Sequence, residues 1–418
     1  MRGYRQRSAD GFRMKTSLLQ ALRYVVIAGA VAAAVYALIL ARASHFFSQD
    51  TAVSVPAAVH LQPHNAMYLD RLASWQPEDR QSLLQRSVAE NPFNYNAWIR
   101  LGFLAEMQDG DNATAEKDYL KAAEVNHMFL PKWTLTNFYF RQQQRDAFFH
   151  WTKETLAITP YASDPVFAQM WQMTENEEEL NAAIPDRPRI LLQYAWYLSN
   201  AKQYQSIPRA VERLVRAVGR DDPRKWGRDD LLAAGEDHML ASGYLKPALQ
   251  VWSTLKDAGW LSQSVPNEQN PLTNGDFSQR FYRHGFDWVG LENVGTRVEQ
   301  YPETPELHIS FYGDEGEDIT LLQQYVAVAP ESAYALNWHA EGEELTEPSG
   351  ISWHLHPVQG SNVSEVISGD LLGQDKTWQF VAPKDSRTFL LTLEYARPAG
   401  VTRARGSVSL KSVTLIRR

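Results

Sequence analysis

The chain has 418 residues, a formal net charge of −8 at pH 7 and no cysteine. The lack of cysteine excludes disulfide bonds, thiolate metal sites and cysteine nucleophiles. The acidic balance, without a long basic patch, argues against a nucleic-acid partner. The length allows two or three domains besides any membrane segment.

The first feature along the chain is an uncharged apolar run at residues 24–41, YVVIAGAVAAAVYALILA. About 18 residues is close to the minimum that crosses a hydrocarbon core as a helix. The preceding tail, residues 1–23, carries six basic residues against the single Asp10. Because cationic flanks stay in the cytoplasm, we expect this tail to be cytoplasmic. The bulk of the chain would then lie in the periplasm, anchored to a bacterial inner membrane.

A single-pass anchor has two alternatives. A cleaved signal peptide is suggested by Ala41, Arg42 and Ala43, which fit the small-x-small cleavage pattern. The apolar run is longer than the roughly 7–15 residues of a typical signal sequence, which favours an uncleaved anchor. A buried core helix is disfavoured because the run is apolar on every face. Whether the anchor is cleaved stays open at this point.

Residues 42–62 show no sustained hydrophobic period and are predicted to form a linker between membrane and domain. Helical periodicity then runs through residues 63–261, in short amphipathic segments closed by prolines. Asn65 is the predicted N-cap of the first helix in this region.

The clearest helical hairpin has Trp98, Leu101 and Gly102 on its first helix and Ala115 and Tyr119 on its second. Gly102 and Ala115 would let the helices approach closely, while Tyr119 would fill the space between repeats. The connecting loop, DGDN, is one residue longer than the repeat pattern expects. Alanine followed four residues later by an aromatic recurs in two later hairpins, as Ala147 with Trp151 and Ala248 with Trp252.

This order of small and aromatic residues resembles the tetratricopeptide repeat in degenerate form. The resemblance implies an α-solenoid over residues 63–261, whose stacked hairpins present a concave surface to a protein partner. An irregular helical bundle with chance matches is the alternative.

Near Ser262 the chain changes character. Residues 262–269 are polar and contain Pro266, which predicts a second linker. From residue 270 the hydrophobic period becomes two, and seven strand-like segments follow: LHISF, DITLLQQYVAV, YALNWHA, ISWHLHPV, TWQFVA, TFLLTLEYA and GSVSLKSVTLI. Residues 270–418 are therefore predicted to form an all-β sandwich.

The opening of this region, NGDF at 274–277 followed by HGFDW at 284–288, resembles jelly-roll carbohydrate-binding modules. The resemblance implies a jelly roll that binds polysaccharide. Similar modules often hold a structural calcium through an acidic residue leading into the last strand. This chain has Lys411 and Ser412 there, so no metal or cofactor is predicted.

The whole arrangement of anchor, helical repeats and jelly roll resembles bacterial membrane-anchored repeat proteins associated with exopolysaccharide or O-antigen export. The segments LTNFYFRQ, IPDRPRILLQYAWYL and NGDF…HGFDW carry that resemblance. It implies a scaffold of the cell envelope with a protein partner and a polysaccharide ligand.

An enzymatic role has little support in the sequence. The G-x-S-x-G, H-E-x-x-H and P-loop motifs are absent from it. Glycoside hydrolysis would need two carboxylates facing each other, such as Glu365 and Glu394, and chain spacing does not establish such a pair. His354 and His356 share one strand face, where a solvated surface is favoured over a metal pair. No catalytic residue is predicted; a glycan-active enzyme and a purely protein-binding assembly factor remain the alternatives.

Strand alternation sends one set of side chains of each strand away from the apolar side. The outward set includes Tyr312, Asn337, His339, His354 and Glu394. Sugars are bound by hydrogen-bonding planar groups and aromatic rings. If the strands neighbour one another in one sheet, these five residues would line a shallow glycan groove. The alternative is that they occupy separate solvated faces of two sheets.

Overall fold

The structure is a computed structural model. It describes residues 4–418 apart from 302–303, 346–347, 359–365 and 385, with side chains from Gln20 onward except that of Ala234. The chain divides into two compact units, residues 1–160 and 161–418, and each is described by itself.

The first unit begins with one long helix, α1, Tyr4–Gln49. The part from Gln20 to Gln49 is long and apolar enough to cross a membrane, and none of its most apolar window is buried. The predicted span 24–41 lies inside this part. By length and composition the helix suits either a membrane anchor or a signal sequence.

The segment expected as a linker, residues 42–62, is largely helical. Helix α1 continues through it to Gln49, and α2 occupies Ser54–Leu61. Val55 and Ala58 of α2 are fully buried, the first against the core of the following hairpins. The ring of Phe47 stacks on that of Tyr68 with centroids 4.5 Å apart. These few apolar contacts are too widely spaced to produce a sequence period. They nevertheless pack the segment against the helices that follow it.

Three helical hairpins complete the first unit: α3 Ala66–Trp75 with α4 Arg80–Glu90, α5 Tyr95–Leu104 with α6 Asn112–Val125, and α7 Phe129–Arg141 with α8 Arg145–Leu156. The predicted N-cap is confirmed, because Asn65 Oδ1 accepts a hydrogen bond from the backbone N–H of Tyr68 at 3.2 Å.

The second hairpin has the close approach that its small residues predict. A Cβ atom on Gly102 would lie 2.7 Å from Cε1 of Tyr119 and 3.1 Å from the carbonyl oxygen of Ala115. Helix α5 runs on into a π-helical turn at Ala105–Asp109. A π-helical turn accommodates one extra residue, which accounts for the long loop noted in the sequence.

The second unit starts with further helices: α9 Asp164–Met173, α10 Glu177–Ala183, α11 Pro188–Asn200, α12 Ile207–Val218, α13 Arg228–Leu231, α14 Asp237–Ala241 and α15 Leu245–Asp257. A π-helical turn, Leu232–Glu236, joins α13 to α14. Ala248 and Trp252 of α15 are both fully buried.

A β-sandwich follows. Its strands are β1 Val289–Gly290, β2 Thr296–Tyr301, β3 Glu306–Tyr312, β4 Asp318–Ala327, β5 Ala333–Glu343, β6 Ile351–Pro357, β7 Val366–Asp370, β8 Gly373–Val381, β9 Thr388–Ala396 and β10 Arg405–Arg417. Among the described residues they form two antiparallel sheets: sheet 1 in the order β1-β4-β9-β6-β7 and sheet 2 in the order β2-β3-β10-β5-β8. All seven predicted strands occur, and β1, β2 and β7 were not predicted.

The core between the sheets has the predicted alternation. Each of the strands β3, β5, β6 and β9 buries every second side chain in one shared cluster, including Ile309, Leu336, Trp353 and Leu391. The rings of Trp288 and Trp353 meet in this cluster with centroids 6.0 Å apart. The outer faces of the sheets therefore carry the polar set.

The predicted boundary at 262–269 lies inside the second unit. Trp252 donates its indole N–H to the carbonyl oxygen of Ser264 at 3.0 Å, and its ring meets Phe286 edge-on at 5.7 Å. His284 Nδ1 lies 2.7 Å from Asp237 Oδ2 of α14. We call this contact region the joint. Independent folding of residues 270–418 stays a prediction.

Candidate functional site

The five predicted site residues do not share one sheet. Tyr312 lies on β3, and Asn337 and His339 lie on β5, all in sheet 2, whereas His354 on β6 and Glu394 on β9 belong to sheet 1. Two sheets that pack through their apolar faces point their polar faces in opposite directions. The condition for a single groove is therefore not met, and the five residues occupy separate faces of two sheets. Alternation determines the face of a strand and not its sheet. Carbohydrate binding by any of these residues stays a prediction.

Register separates the sheet 2 residues further. Strand β10 lies between β3 and β5, with Arg405 opposite Tyr312 and Thr414 opposite Asn337. These partners are nine positions apart, and at about 3.3 Å per residue the separation along the strand is roughly 30 Å. Tyr312 is thus at one end of the sheet and Asn337 near the other.

Asn337 and His339 sit in a polar network on the outer face of sheet 2. Asn337 Oδ1 accepts a hydrogen bond from Thr377 Oγ1 at 2.9 Å. His339 Nε2 lies 3.2 Å from Glu341 Oε1, and Lys411 Nζ lies 2.6 Å from the other oxygen of that carboxylate. The lysine holds the pKa of Glu341 below its ordinary value. This network links side chains across β10, β5 and β8.

Tyr312 lines a cleft of about 1080 Å³ where β2 and β3 of sheet 2 approach β1 of sheet 1. The cleft residues combine guanidinium, carboxylate, amide and aromatic groups: Arg280, Phe281, Arg283, Glu292, Asn293, Arg297, Glu299, Gln300 and Tyr312. The side chain of Tyr312 is 58% exposed. We call this feature the edge cleft.

The charges within the edge cleft are partly paired. Arg297 and Glu299, two residues apart on β2, form an ion pair of 2.7 Å. Tyr301, beyond them on the same strand, donates its phenolic hydroxyl to Glu299 Oε2 at 3.1 Å. The arrangement gives directional donors and acceptors beside an exposed ring, which is the chemistry that a sugar hydroxyl and a sugar C–H face require.

Two of the predicted residues do come together, on the outer face of sheet 1. His354 Nδ1 lies 3.5 Å from Glu394 Oε2, and His356 Nε2 lies 2.8 Å from Glu394 Oε1. Thr392 Oγ1 donates to Glu394 Oε1 at 2.7 Å. Burial tends to raise the pKa of Glu394, but the hydrogen bonds from Thr392 and His356 outweigh it and hold the pKa below its ordinary value. We call His354, His356 and Glu394 the imidazole–carboxylate cluster.

The sequence did not predict all the residues of the imidazole–carboxylate cluster or of the edge cleft. His356 was seen beside His354 but was not joined to Glu394, and strand β2, which supplies Arg297 and Glu299, was not predicted. The alternation in TRVEQY, with Val298 between charged residues, was the available signal for β2. Glu365, considered above as a carboxylate partner of Glu394, lies outside the described residues.

Comparison with known proteins gives similarity in structure only. No protein-family model matches the chain, and neither does any curated protein sequence. One similar solved structure is described as "CBM4 structure and function", with 13% identity over 35% of this chain and 98% of that chain and a TM-score of 0.27. Another is described as "BiXyn10A CBM1 APO", with 12% identity over 34% and 94% of the two chains and a TM-score of 0.24.

Both of those are carbohydrate-binding modules. A third structure is "Glycosylation Associate Protein (Gap123) complex from Streptococcus agalactiae", with 13% identity over 30% of this chain and 39% of that chain and a TM-score of 0.22. The two-sheet sandwich is assigned from the strand order of this chain itself.

Proposed function

We propose that the protein is a membrane-anchored scaffold of the bacterial cell envelope, with its bulk in the periplasm and a role in exopolysaccharide assembly or export. Its β-sandwich binds polysaccharide without cleaving it, and its helical hairpins, as degenerate tetratricopeptide-like repeats, bind a protein partner. The exposed apolar stretch of α1 supports the anchor.

The edge cleft is the observation that carries the polysaccharide part of the proposal. Its volume of about 1080 Å³ is at the upper end of the range of about 300–1,000 Å³ for small-ligand sites. Tyr312 offers an exposed ring, and the arginine side chains of the cleft offer guanidinium donors. The amide of Gln300 is already hydrogen-bonded to the backbone of Phe277, Gln279 and Phe281. Two carboxylates, Glu292 and Glu299, also line the cleft, so the same assay must include a search for sugar release.

The test uses the full chain in detergent and a panel of purified soluble exopolysaccharides, with binding followed by affinity electrophoresis. Tyr312→Ala should abolish retardation by the polysaccharide that binds the wild type. Tyr161→Ala is the matched control, since this tyrosine is also exposed but is not among the residues that line the edge cleft. Asn337→Ala and Glu394→Ala test the other predicted positions, and loss of binding in either variant would place the polysaccharide site there instead of in the edge cleft.

The outcomes separate three functional classes. Retardation that depends on Tyr312, without release of reducing sugar, supports the scaffold. Release of sugar by the wild type identifies a glycan-active enzyme instead. Wild-type chain that binds no polysaccharide of the panel favours a purely protein-binding assembly factor.

The protein-partner part is supported by a groove of about 590 Å³ in the first unit, between α5 and α6. Trp98 and Leu120 line it, and Leu120 remains exposed there. Leu120→Asp should prevent the partner from co-purifying with the chain from cross-linked envelopes. Met128→Asp is the control, because Met128 is an exposed apolar residue outside the groove. Equal loss in both variants would contradict this placement.

A further inference from the structure

In the imidazole–carboxylate cluster two imidazole rings converge on one carboxylate, and this cluster is separate from the edge cleft. His354 and His356 are two residues apart on β6, so both imidazoles stand on the outer face of sheet 1. Strand β9 pairs with β6 and places Ser352 opposite Glu394 and His354 opposite Thr392. One potential ligand atom from each of the two histidines and the glutamate lies within 4.8 Å of the others.

The orientation of each ring is fixed by a second contact. His354 Nε2 lies 2.9 Å from Ser352 Oγ, which leaves Nδ1 as the nitrogen directed at Glu394. The ring of His356 stacks on that of His354 with centroids 5.9 Å apart and an interplanar angle of 17°. Thr392 in turn holds the carboxylate. Outer contacts of this kind orient the ligands of metal ions.

Burial of the cluster is partial and uneven. The side chains of His354 and Glu394 are 12% and 16% exposed, whereas that of His356 is 36% exposed. The sheet therefore shields His354 and Glu394, while His356 is partly exposed to solvent. Three protein ligands with one open side are the pattern of a metal centre that keeps a position for water or another ligand.

The geometry points to a binding site for a divalent transition-metal ion, of the Zn²⁺ class, held by His354 Nδ1, His356 Nε2 and the Glu394 carboxylate. Imidazole nitrogens favour Zn²⁺, Cu²⁺ or Ni²⁺, whereas Ca²⁺ and Mg²⁺ favour all-oxygen sites. Neighbouring ligand atoms in a tetrahedral centre with bonds of about 2.0–2.1 Å are roughly 3.3 Å apart. The two nitrogen–oxygen separations of 2.8 and 3.5 Å lie on either side of that value. All three ligand atoms lie within 4.8 Å of one another, so side-chain rotations would have to complete the coordination geometry.

A second histidine–carboxylate group on the same sandwich provides the contrast. His339 lies 3.2 Å from Glu341 and 3.5 Å from Asp375. Glu341 already forms an ion pair with Lys411 at 2.6 Å, which places a competing cation on the carboxylate. Asp375 is 92% exposed and has no comparable burial to hold it in place. His339 is therefore the matched control for His356.

The test is a Zn²⁺ titration of the full chain in detergent, made without a polyhistidine tag and treated with EDTA, followed by calorimetry at neutral pH. We expect saturation at one Zn²⁺ per chain. His354→Ala, His356→Ala and Glu394→Gln should each weaken the Zn²⁺ affinity by more than about tenfold. Ser352→Ala, which removes only the orienting contact of His354, should weaken it by about tenfold. His339→Ala should leave it unchanged.

Two further measurements keep the result independent of folding defects. Zn²⁺ should raise the melting temperature of the wild type and of His339→Ala but not that of Glu394→Gln, since a ligand stabilises only the state that binds it. Substitution with Co²⁺ should give the visible absorption bands of a four-coordinate centre, lost in His356→Ala.

The proposal is overturned if the wild type shows no saturable binding of one Zn²⁺. It is also overturned if binding survives the double variant of His354 and His356, or if it depends on His339. Polysaccharide binding enters none of these readouts, so failure here and failure of the scaffold proposal are distinguishable.

Discussion

Replacing Gly285 by alanine tests the joint between the helices and the sandwich of the second unit. Gly285 has φ +62°, and a Cβ atom there would lie 2.7 Å from Cζ3 of Trp252 and 3.3 Å from Cβ of Glu236. Its backbone N–H also donates to Asp237 Oδ1 at 2.7 Å. The new methyl group therefore meets an indole ring that is itself fully buried and has no room to retreat.

The free energy by which Gly285→Ala destabilises the second unit has two parts. The left-handed conformation costs a non-glycine residue about 1–2 kcal/mol, and overpacking of a filled site costs about 1–3 kcal/mol. Gly259→Ala isolates the first part, because Gly259 has φ +74° and nothing lies within 4 Å of its added Cβ. For a unit of about the size of residues 161–418, 1 kcal/mol corresponds to about 2–4 °C in melting temperature. Gly285→Ala should thus melt roughly 2–12 °C below Gly259→Ala.

The assay is scanning calorimetry of the full chain in detergent, following the transition that contains residues 161–418. A Trp252→Phe background removes the indole atoms that the new methyl group meets, so the extra cost of Gly285→Ala should shrink there. Coupling of this kind is expected only between residues in contact. Equal melting temperatures for the Gly285 and Gly259 variants, or full additivity with Trp252→Phe, would refute the packing of the joint.

Three further predictions concern other parts of the chain. Burial raises the pKa of Asp287 from 3.8 to about 7. The folded state therefore favours the protonated carboxyl, and the stability that this gives is fully present below about pH 4 and is lost as the pH rises towards 7. Asp287→Asn should flatten the melting temperature over that range, and an unchanged slope would contradict the assignment. Gly102→Ala should lower the stability of the first unit by about 1–2 kcal/mol despite better helix propensity, because its methyl group meets Tyr119. Gly235→Ala, with nothing within 4 Å of its Cβ, should not destabilise the chain, as thermal unfolding would show. Protease added to spheroplasts should digest the bulk of the chain, and protection of the sandwich would contradict the periplasmic orientation.

The sequence was most informative where a physical period repeats. In β3, β5, β6 and β9 alternate apolar residues had to be buried, and the residues with that period form the core of the sandwich. The same reasoning missed β1, which has only two residues, and β7, whose VISGD offers a single apolar pair. Residues 42–62 were predicted to be a linker because their few apolar residues form no sustained period, although Val55 and Ala58 of α2 are buried.

The candidate sites depend on long-range pairing, which local patterns do not encode. Glu394 meets His354 and His356 only because β9 inserts between β4 and β6 in sheet 1. Asn337 and Tyr312 were assigned correctly to outward faces, yet the register of β10 places them at opposite ends of sheet 2. A period of two gives the direction of a side chain. Its neighbours across the sheet follow from strand order and register, and each of these is set by the whole fold.

The two proposed binding sites differ in chemistry because they occupy different surfaces of one sandwich. The edge cleft lies beside β1, and β6 is the third strand from β1 in sheet 1. With neighbouring strands about 4.8 Å apart, His354 and His356 on β6 are about 14 Å from β1, and Glu394 on β9 is about 10 Å from it. Substitutions at two sites this far apart that share no partners are expected to have additive effects on stability. An exposed ring and guanidinium groups at the edge of the sandwich suit hydroxyl recognition, whereas two oriented imidazoles beside a shielded carboxylate suit a metal ion. Each assignment therefore stands on its own residues.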